Sequence, residues 1–177
     1  SPGGVWTSDN TSVATVDASG VVTGISSGTS VITYTVTTGS CSAAATQTVT
    51  VNALPAVAAI TGTATLCSGT TTTLADATSG GVWSSGTTSV ATVEASGVVT
   101  PVSAGTSVMT YTVTNGSGCS NAVTQTVTVN ALPTLAAITG TATVCAGSTT
   151  TLADATAGGV WSSPNTSAAT VDAVGLV

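Results

Sequence analysis

A long internal repeat constrains the fold of this chain more than any other feature of its sequence. The same stretch occurs three times, at Gly3–Thr23, Gly80–Thr100 and Gly158–Val177. Three tryptophans mark the period: Trp6 and Trp83 are 83 − 6 = 77 residues apart, and Trp83 and Trp161 are 161 − 83 = 78 residues apart. The chain is therefore expected to be an array of similar units that stack on one another.

The boundaries of these units are predicted by two equivalent Leu-Pro pairs. Leu54-Pro55 and Leu132-Pro133 each follow the alternating run TQTVTVN, and proline cannot continue a central strand. The sequence thus predicts a partial repeat at 1–53 that lacks its first two strands, a complete repeat at 54–131, and a partial repeat at 132–177 that lacks its last strands. Because the chain begins in mid-repeat without Met, we expect it to be a segment of a longer protein.

Val and Thr alternate through each unit between Gly- and Ser-rich turns, a pattern typical of short β-strands. No stretch has helical periodicity. The strands expected in the complete repeat are a split first strand (Val57–Ile60 with Thr63–Cys67), Thr70–Ala75, Val82–Ser85, Val90–Glu94, Val98–Val102, Thr106–Thr114 and Ala122–Val129. Seven such strands predict an all-β sandwich.

The bulky side chains that could fill this sandwich recur with the repeat. They are Trp6, Trp83 and Trp161 on the third strand of each unit and Tyr34 and Tyr111 on the sixth. Large aromatic rings contribute most to a core otherwise made of Val, Ala and Leu. We therefore interpret them as core anchors rather than as a platform for stacking sugars.

The charge composition excludes several classes of function. The chain has no Lys, Arg or His and only six acidic residues, so it cannot neutralise nucleic-acid phosphates. General acid–base catalysis would lack histidine, and we predict neither an enzyme nor a cofactor. Apolar residues alternate with Thr and Ser and never form the ~18-residue run of a spanning helix, so no membrane insertion is predicted.

Four cysteines, Cys41, Cys67, Cys119 and Cys145, recur in register with the repeat. This regularity favours disulfides in an oxidising, extracellular environment. Zinc sites use Cys-x-x-Cys pairs or histidines, which are absent, and two acids per unit are too few for calcium, so no metal is predicted.

The pairing of the cysteines is open at this stage. Cys67 is expected at the turn after the first strand and Cys119 at the last hairpin, roughly 25 Å apart at ~3.3 Å per strand residue. A disulfide needs Cα atoms within about 7 Å. This argues for bridges between consecutive units, but the strand ends are too poorly fixed by sequence to discard bridges within a unit.

The complete repeat resembles the bacterial immunoglobulin-like group 2 domain of invasin- and intimin-type surface proteins. The matching residues are Val82–Ser85, Ser89–Val93, Gly97–Thr100, Ala104–Val108 and Thr126–Val129. The Cys-x-Gly segments at Cys67 and Cys145 look like repeats of very large secreted surface proteins of Bacteroidota. The resemblance implies tandem immunoglobulin-like sandwiches, an extracellular or cell-surface location, export by the type IX system, and no catalytic residue.

Two functions are consistent with these features. The first is a structural repeat segment of an extracellular filament or surface stalk, non-catalytic and self-associating, whose partners are copies of itself. The alternative is an adhesin module that binds a glycan or protein. The loops consist of Gly, Ser, Thr and Ala and lack the aromatic and Arg residues of binding hot spots, which favours the structural role.

Overall fold

A computed structural model describes residues 3–177, so Ser1 and Pro2, at the start of the first predicted repeat, lie outside the described residues. Within 3–177 the chain forms strands, turns and loops and no helix. It divides into two compact units, one ending at Asn130 and the other spanning Ala131–Val177. The division into three repeats remains a prediction.

The first repeat contributes five strands. They are β1 (Val5–Ser8), β2 (Ala14–Val16), β3 (Val22–Gly24), β4 (Gly28–Thr38) and β5 (Cys41–Val51). Strand β4 pairs antiparallel with both β1 and β5, in the sheet order β1-β4-β5, while β2 and β3 pair with each other. These elements correspond to the third to seventh strands expected of a whole repeat.

The second repeat contributes seven strands. They are β6 (Thr65–Cys67), β7 (Thr72–Thr73), β8 (Val82–Ser85), β9 (Ala91–Val93), β10 (Val98–Pro101), β11 (Gly105–Thr114) and β12 (Ser120–Asn130). One sheet has the order β6-β12-β11-β8 and the other β7-β10-β9. All pairs are antiparallel except β6 with β12, which is parallel.

Both sheets of the second repeat supply side chains to one core. Its buried members are Leu66, Leu74, Ala91, Val99, Met109, Val127 and Val129. Strand β11 shows the predicted alternation, since Met109 is buried while Val108 is 43% exposed. Two sheets that share a core form a β-sandwich, so the predicted all-β class of tandem immunoglobulin-like sandwiches is confirmed.

The start of the complete repeat differs from the prediction. Residues Val57–Ile60 form no strand, and only an isolated bridge joins Thr61 to Ala75. The backbone N–H of Ala58 donates to the Thr78 hydroxyl at 2.9 Å instead of to a neighbouring strand. A β-branched apolar run therefore became extended loop because no ladder partner lies beside it.

The unit Ala131–Val177 contains two short strands, β13 (Thr139–Gly140) and β14 (Leu152–Ala153), which pair antiparallel. A further bridge joins Thr151 to Leu176. These contacts reproduce the opening of the complete repeat, because Thr139 and Ala153 correspond to Thr61 and Ala75.

Candidate functional site

The predicted aromatic anchors form one recurrent pair. Trp83 lies opposite Tyr111 in the β8–β11 register, with ring centroids 4.7 Å apart. Tyr111 Oη donates to the Thr78 carbonyl at 2.7 Å and accepts from the Gly81 N–H at 3.0 Å. Trp83 is half-buried and packs against the core.

The first repeat repeats this arrangement with Trp6 and Tyr34, whose ring centroids are 4.6 Å apart. The Gly4 N–H donates to Tyr34 Oη at 3.1 Å. Both rings are half-buried, as is Trp161 in the last unit. The recurrence of the pair favours a structural role over a ligand platform.

Buried hydroxyls in the sandwich bond one another and the backbone. Ser107 is 2% exposed, its Oγ lies 2.9 Å from Ser85 Oγ, and it accepts the Thr87 N–H at 3.0 Å. The first repeat has the same pair, with Ser8 and Ser30 oxygens 2.8 Å apart. A nucleophilic serine needs an adjacent base, and the sequence contains no histidine, so these hydroxyls satisfy backbone groups.

The four cysteines carry no disulfide in the structure; Cys119 is half-buried and Cys41, Cys67 and Cys145 are exposed. Cys67 ends β6 opposite Asn130, at the end of β12, whereas Cys119 immediately precedes the start of β12. Eleven residues of extended chain separate these ends by about 35 Å. The geometry does not bring Cys67 and Cys119 together.

The joint between the first two repeats is formed by the hairpin that connects β11 and β12. Asn115 Nδ2 donates to the Ala53 carbonyl at 2.9 Å, and Asn121 Nδ2 donates to the Pro55 carbonyl at 3.0 Å. Beside them, Cys119 Sγ lies 4.0 Å from the carbonyl oxygen of Asn52. Side chains of the second repeat thus bond the backbone that connects it to the first repeat.

The same hairpin is ordered by Asn115 itself. Its Oδ1 accepts the N–H groups of Ser117 at 3.1 Å and Cys119 at 3.0 Å. This local bonding, typical of asparagine at turns, orients the amide nitrogen toward Ala53. The role of Asn115 and Asn121 at the joint was not predicted from the sequence. One signal was available, because the two positions differ between the repeats: Thr38 and Ala43 stand there in the first repeat.

Two acidic side chains accept hydrogen bonds from hydroxyl and backbone N–H groups. Ser30 Oγ and the Val31 N–H both donate to Asp9 Oδ1 at 2.7 Å, and these bonds lower the pKa of Asp9. Asp17 accepts from the hydroxyl of Ser19 and the N–H of Val21, which lowers its pKa in the same way. Within 3–177, no three His, Cys, Asp or Glu residues cluster as a metal site would require.

The unit Ala131–Val177 exposes apolar side chains whose counterparts in the complete repeat are covered. Ile138 is 61% exposed and Val144 44%, whereas the equivalent Ile60 is half-buried and Leu66 only 6% exposed. A groove of about 400 Å³ opens here. Its apolar lining comes chiefly from Leu135, Ile138, Leu152, Trp161 and Val174. In the complete repeat, this face lies under strands β11 and β12.

The first repeat matches a known family. The bacterial Ig-like domain (group 2) family matches residues 3–49 of this chain. No curated protein matches the sequence. The described residues include no helix that is both long and apolar enough to cross a lipid bilayer.

Several solved structures are similar to this chain. Domains 1–6 of the surface layer protein SbsC are 23% identical over 98% of this chain, with a TM-score of 0.31. A C-terminal fragment of intimin, solved in complex with the intimin-binding domain of its translocated receptor, is 16% identical over 72%, with a TM-score of 0.33. This chain spans 24% of the SbsC structure and 51% of the intimin one.

Proposed function

We propose that this chain is a structural repeat segment of an extracellular filament or surface stalk, non-catalytic and self-associating. The observation that carries the proposal is the open edge of strand β12 in the complete repeat, which β6 pairs only over Thr128–Asn130. An unpaired strand edge presents N–H and C=O groups to which a strand of another copy can bond.

Open strand edges of this kind occur in both of the first two repeats. On the side away from β11, strand β12 is paired only by β6 and only over Thr128–Asn130. In the first repeat the equivalent strand, β5, is an edge of its sheet. Proteins commonly protect such edges with Lys or Pro, yet the chain contains no Lys and no Pro lies within β5 or β12. Edges of this kind add strands from neighbouring chains.

The joint supports a linear array. Asn115 and Asn121 bond the backbone at Ala53 and Pro55, so the connection between repeats is held by contacts and is more than a tether. Units that interact with their nearest neighbours gain stability as the array lengthens. A filament or stalk built from many consecutive repeats would gain this stability.

The test is the association of the purified chain and of a matched pair of variants. The variant Thr124→Lys places a charge on the part of β12 that β6 leaves unpaired. Thr88→Lys places the same charge at an exposed position in a turn, outside the strands. Sedimentation velocity and electron microscopy would measure the assembled fraction against concentration.

We expect the parent chain and Thr88→Lys to assemble alike. Thr124→Lys should raise the concentration needed for assembly at least about tenfold, which corresponds to about 1.4 kcal/mol, because a charged side chain on an edge strand opposes the addition of another strand. A parent chain that stays monomeric at all concentrations would contradict the proposal. Saturable binding of the monomer to a cell-surface glycan or protein would instead favour the adhesin function.

A further inference from the structure

The first two repeats both end in the residues TVTVNALP, in which Asn52 corresponds to Asn130, 130 − 52 = 78 residues later. In the complete repeat, Asn130 is the register partner of Cys67. The next residue, Ser68, donates its N–H to the Asn130 carbonyl oxygen at 2.9 Å. The turn after the first strand is thereby fixed to the end of the last strand.

The equivalent carbonyl in the first repeat, that of Asn52, is contacted by the second repeat. Cys119 Sγ, in the hairpin of the second repeat, lies 4.0 Å from the Asn52 oxygen. A first repeat with its own opening strand would place its first-turn serine on this same oxygen and its first-turn cysteine beside Asn52. Such a cysteine would lie beside Asn52, the residue that Cys119 contacts.

We propose that a disulfide crosses the joint between the first two repeats, linking the hairpin cysteine of the second repeat, Cys119, to the first-turn cysteine of the repeat before it. Register partners in neighbouring strands lie about 4.8 Å apart, and a bridge requires Cα atoms within about 7 Å. Residues of the joint are held by the Asn115 and Asn121 bonds to Ala53 and Pro55, so Cys119 is kept beside Asn52, where the second thiol is expected.

This pairing explains the positions of the cysteines within the first compact unit. Cys41, Cys119 and Cys67 follow one another along the two repeats, each separated from the next by an eleven-residue strand, β5 or β12. None of the three can therefore reach another.

The chemistry is an ordinary two-electron oxidation. Two S–H bonds break, one S–S bond forms, and two electrons and two protons pass to a disulfide oxidant, which is reduced to two thiols. Oxidised glutathione can serve as that oxidant in the test. Cys67 is exposed and Cys119 half-buried, so the oxidant can reach both kinds of thiol.

The test restores the missing turn within one chain. A copy of residues 54–77, placed ahead of Ser1, supplies the first repeat with its opening strands and a first-turn cysteine, which raises the thiols from four to 4 + 1 = 5. After oxidation in a glutathione buffer, thiol titration should count three. Mass spectrometry of unreduced fragments should join the added cysteine to Cys119.

Two variants of the extended chain make the assignment specific. Cys119→Ser should leave its four remaining thiols reactive, whereas Cys145→Ser, the matched control, should still lose two. The bridge forms inside one chain, so its outcome is independent of whether copies assemble. Five reactive thiols in the oxidised extended chain, or a bridge to any other cysteine, would overturn the proposal.

A short bis-maleimide gives a second readout that does not depend on oxidation. Applied to the reduced extended chain, it should crosslink the same two cysteines. A crosslink between a different pair, or none, would also overturn the proposal.

Discussion

At the scale of single residues, the sandwich depends on glycines where chains approach closely. Gly97 has φ +84°, and its carbonyl accepts the Leu74 N–H at 2.9 Å. A Cβ at this position would run into the Leu74 carbonyl and lie 3.4 Å from Trp83 Nε1. Because Gly97 has no Cβ, the turn before β10 can lie against Leu74, which follows β7, and against Trp83.

Replacement of this glycine should be costly for two separable reasons. Gly97→Ala combines left-handed backbone strain with a clash against backbone atoms. Gly69→Ala, the matched control, has φ +88° and open space around its Cβ. We expect Gly69→Ala to lower the free energy of unfolding by about 1–2 kcal/mol and Gly97→Ala by a further 1–3 kcal/mol.

Denaturant unfolding followed by tryptophan fluorescence would measure both variants. Equal losses for the two would show that the Leu74 contact contributes nothing. The sequence predicted a turn at Gly97, but it could not predict this contact, because the contact joins segments that are distant in the chain.

At the scale of elements, strand β11 shows how the alternating pattern determines the fold. Met109 is fully buried between the two sheets, while the adjacent Val108 faces outward. One strand thus presents a packed face and a solvated face, as a period of two requires. The pattern alone was enough to predict both faces.

The two faces should respond differently to truncation. Met109→Ala leaves a cavity in the shared core and should lower the free energy of unfolding by about 2–5 kcal/mol. Val108→Ala, one residue away, should change it by less than about 1 kcal/mol, since most surface substitutions have small effects. Similar losses measured by denaturant titration would contradict the assigned faces.

Local pattern predicted some elements and not others. Strand β8 matches its predicted span, Val82–Ser85, because its alternation and its flanking turns are both local signals. Residues Val57–Ile60 are apolar but have no partner strand, so they form no strand. The parallel pairing of β6 with β12 could not be predicted, since it joins residues more than sixty positions apart.

At the scale of the whole molecule, the repeat accounts for both the enclosed core and the open faces. The joint asparagines, Asn115 and Asn121, connect the first two repeats through backbone carbonyls. Sequence comparison between the repeats could have indicated this role, because Thr38 and Ala43 replace them in the first repeat. Their partners could not be inferred, since carbonyl groups carry no sequence signal.

The most direct test of the structural role is electron microscopy of the native material before any reductant is added. The account predicts long, uniform fibres with an axial spacing of about 35–40 Å per repeat, the length of the eleven-residue strand β12. Compact single particles under the same conditions would contradict it.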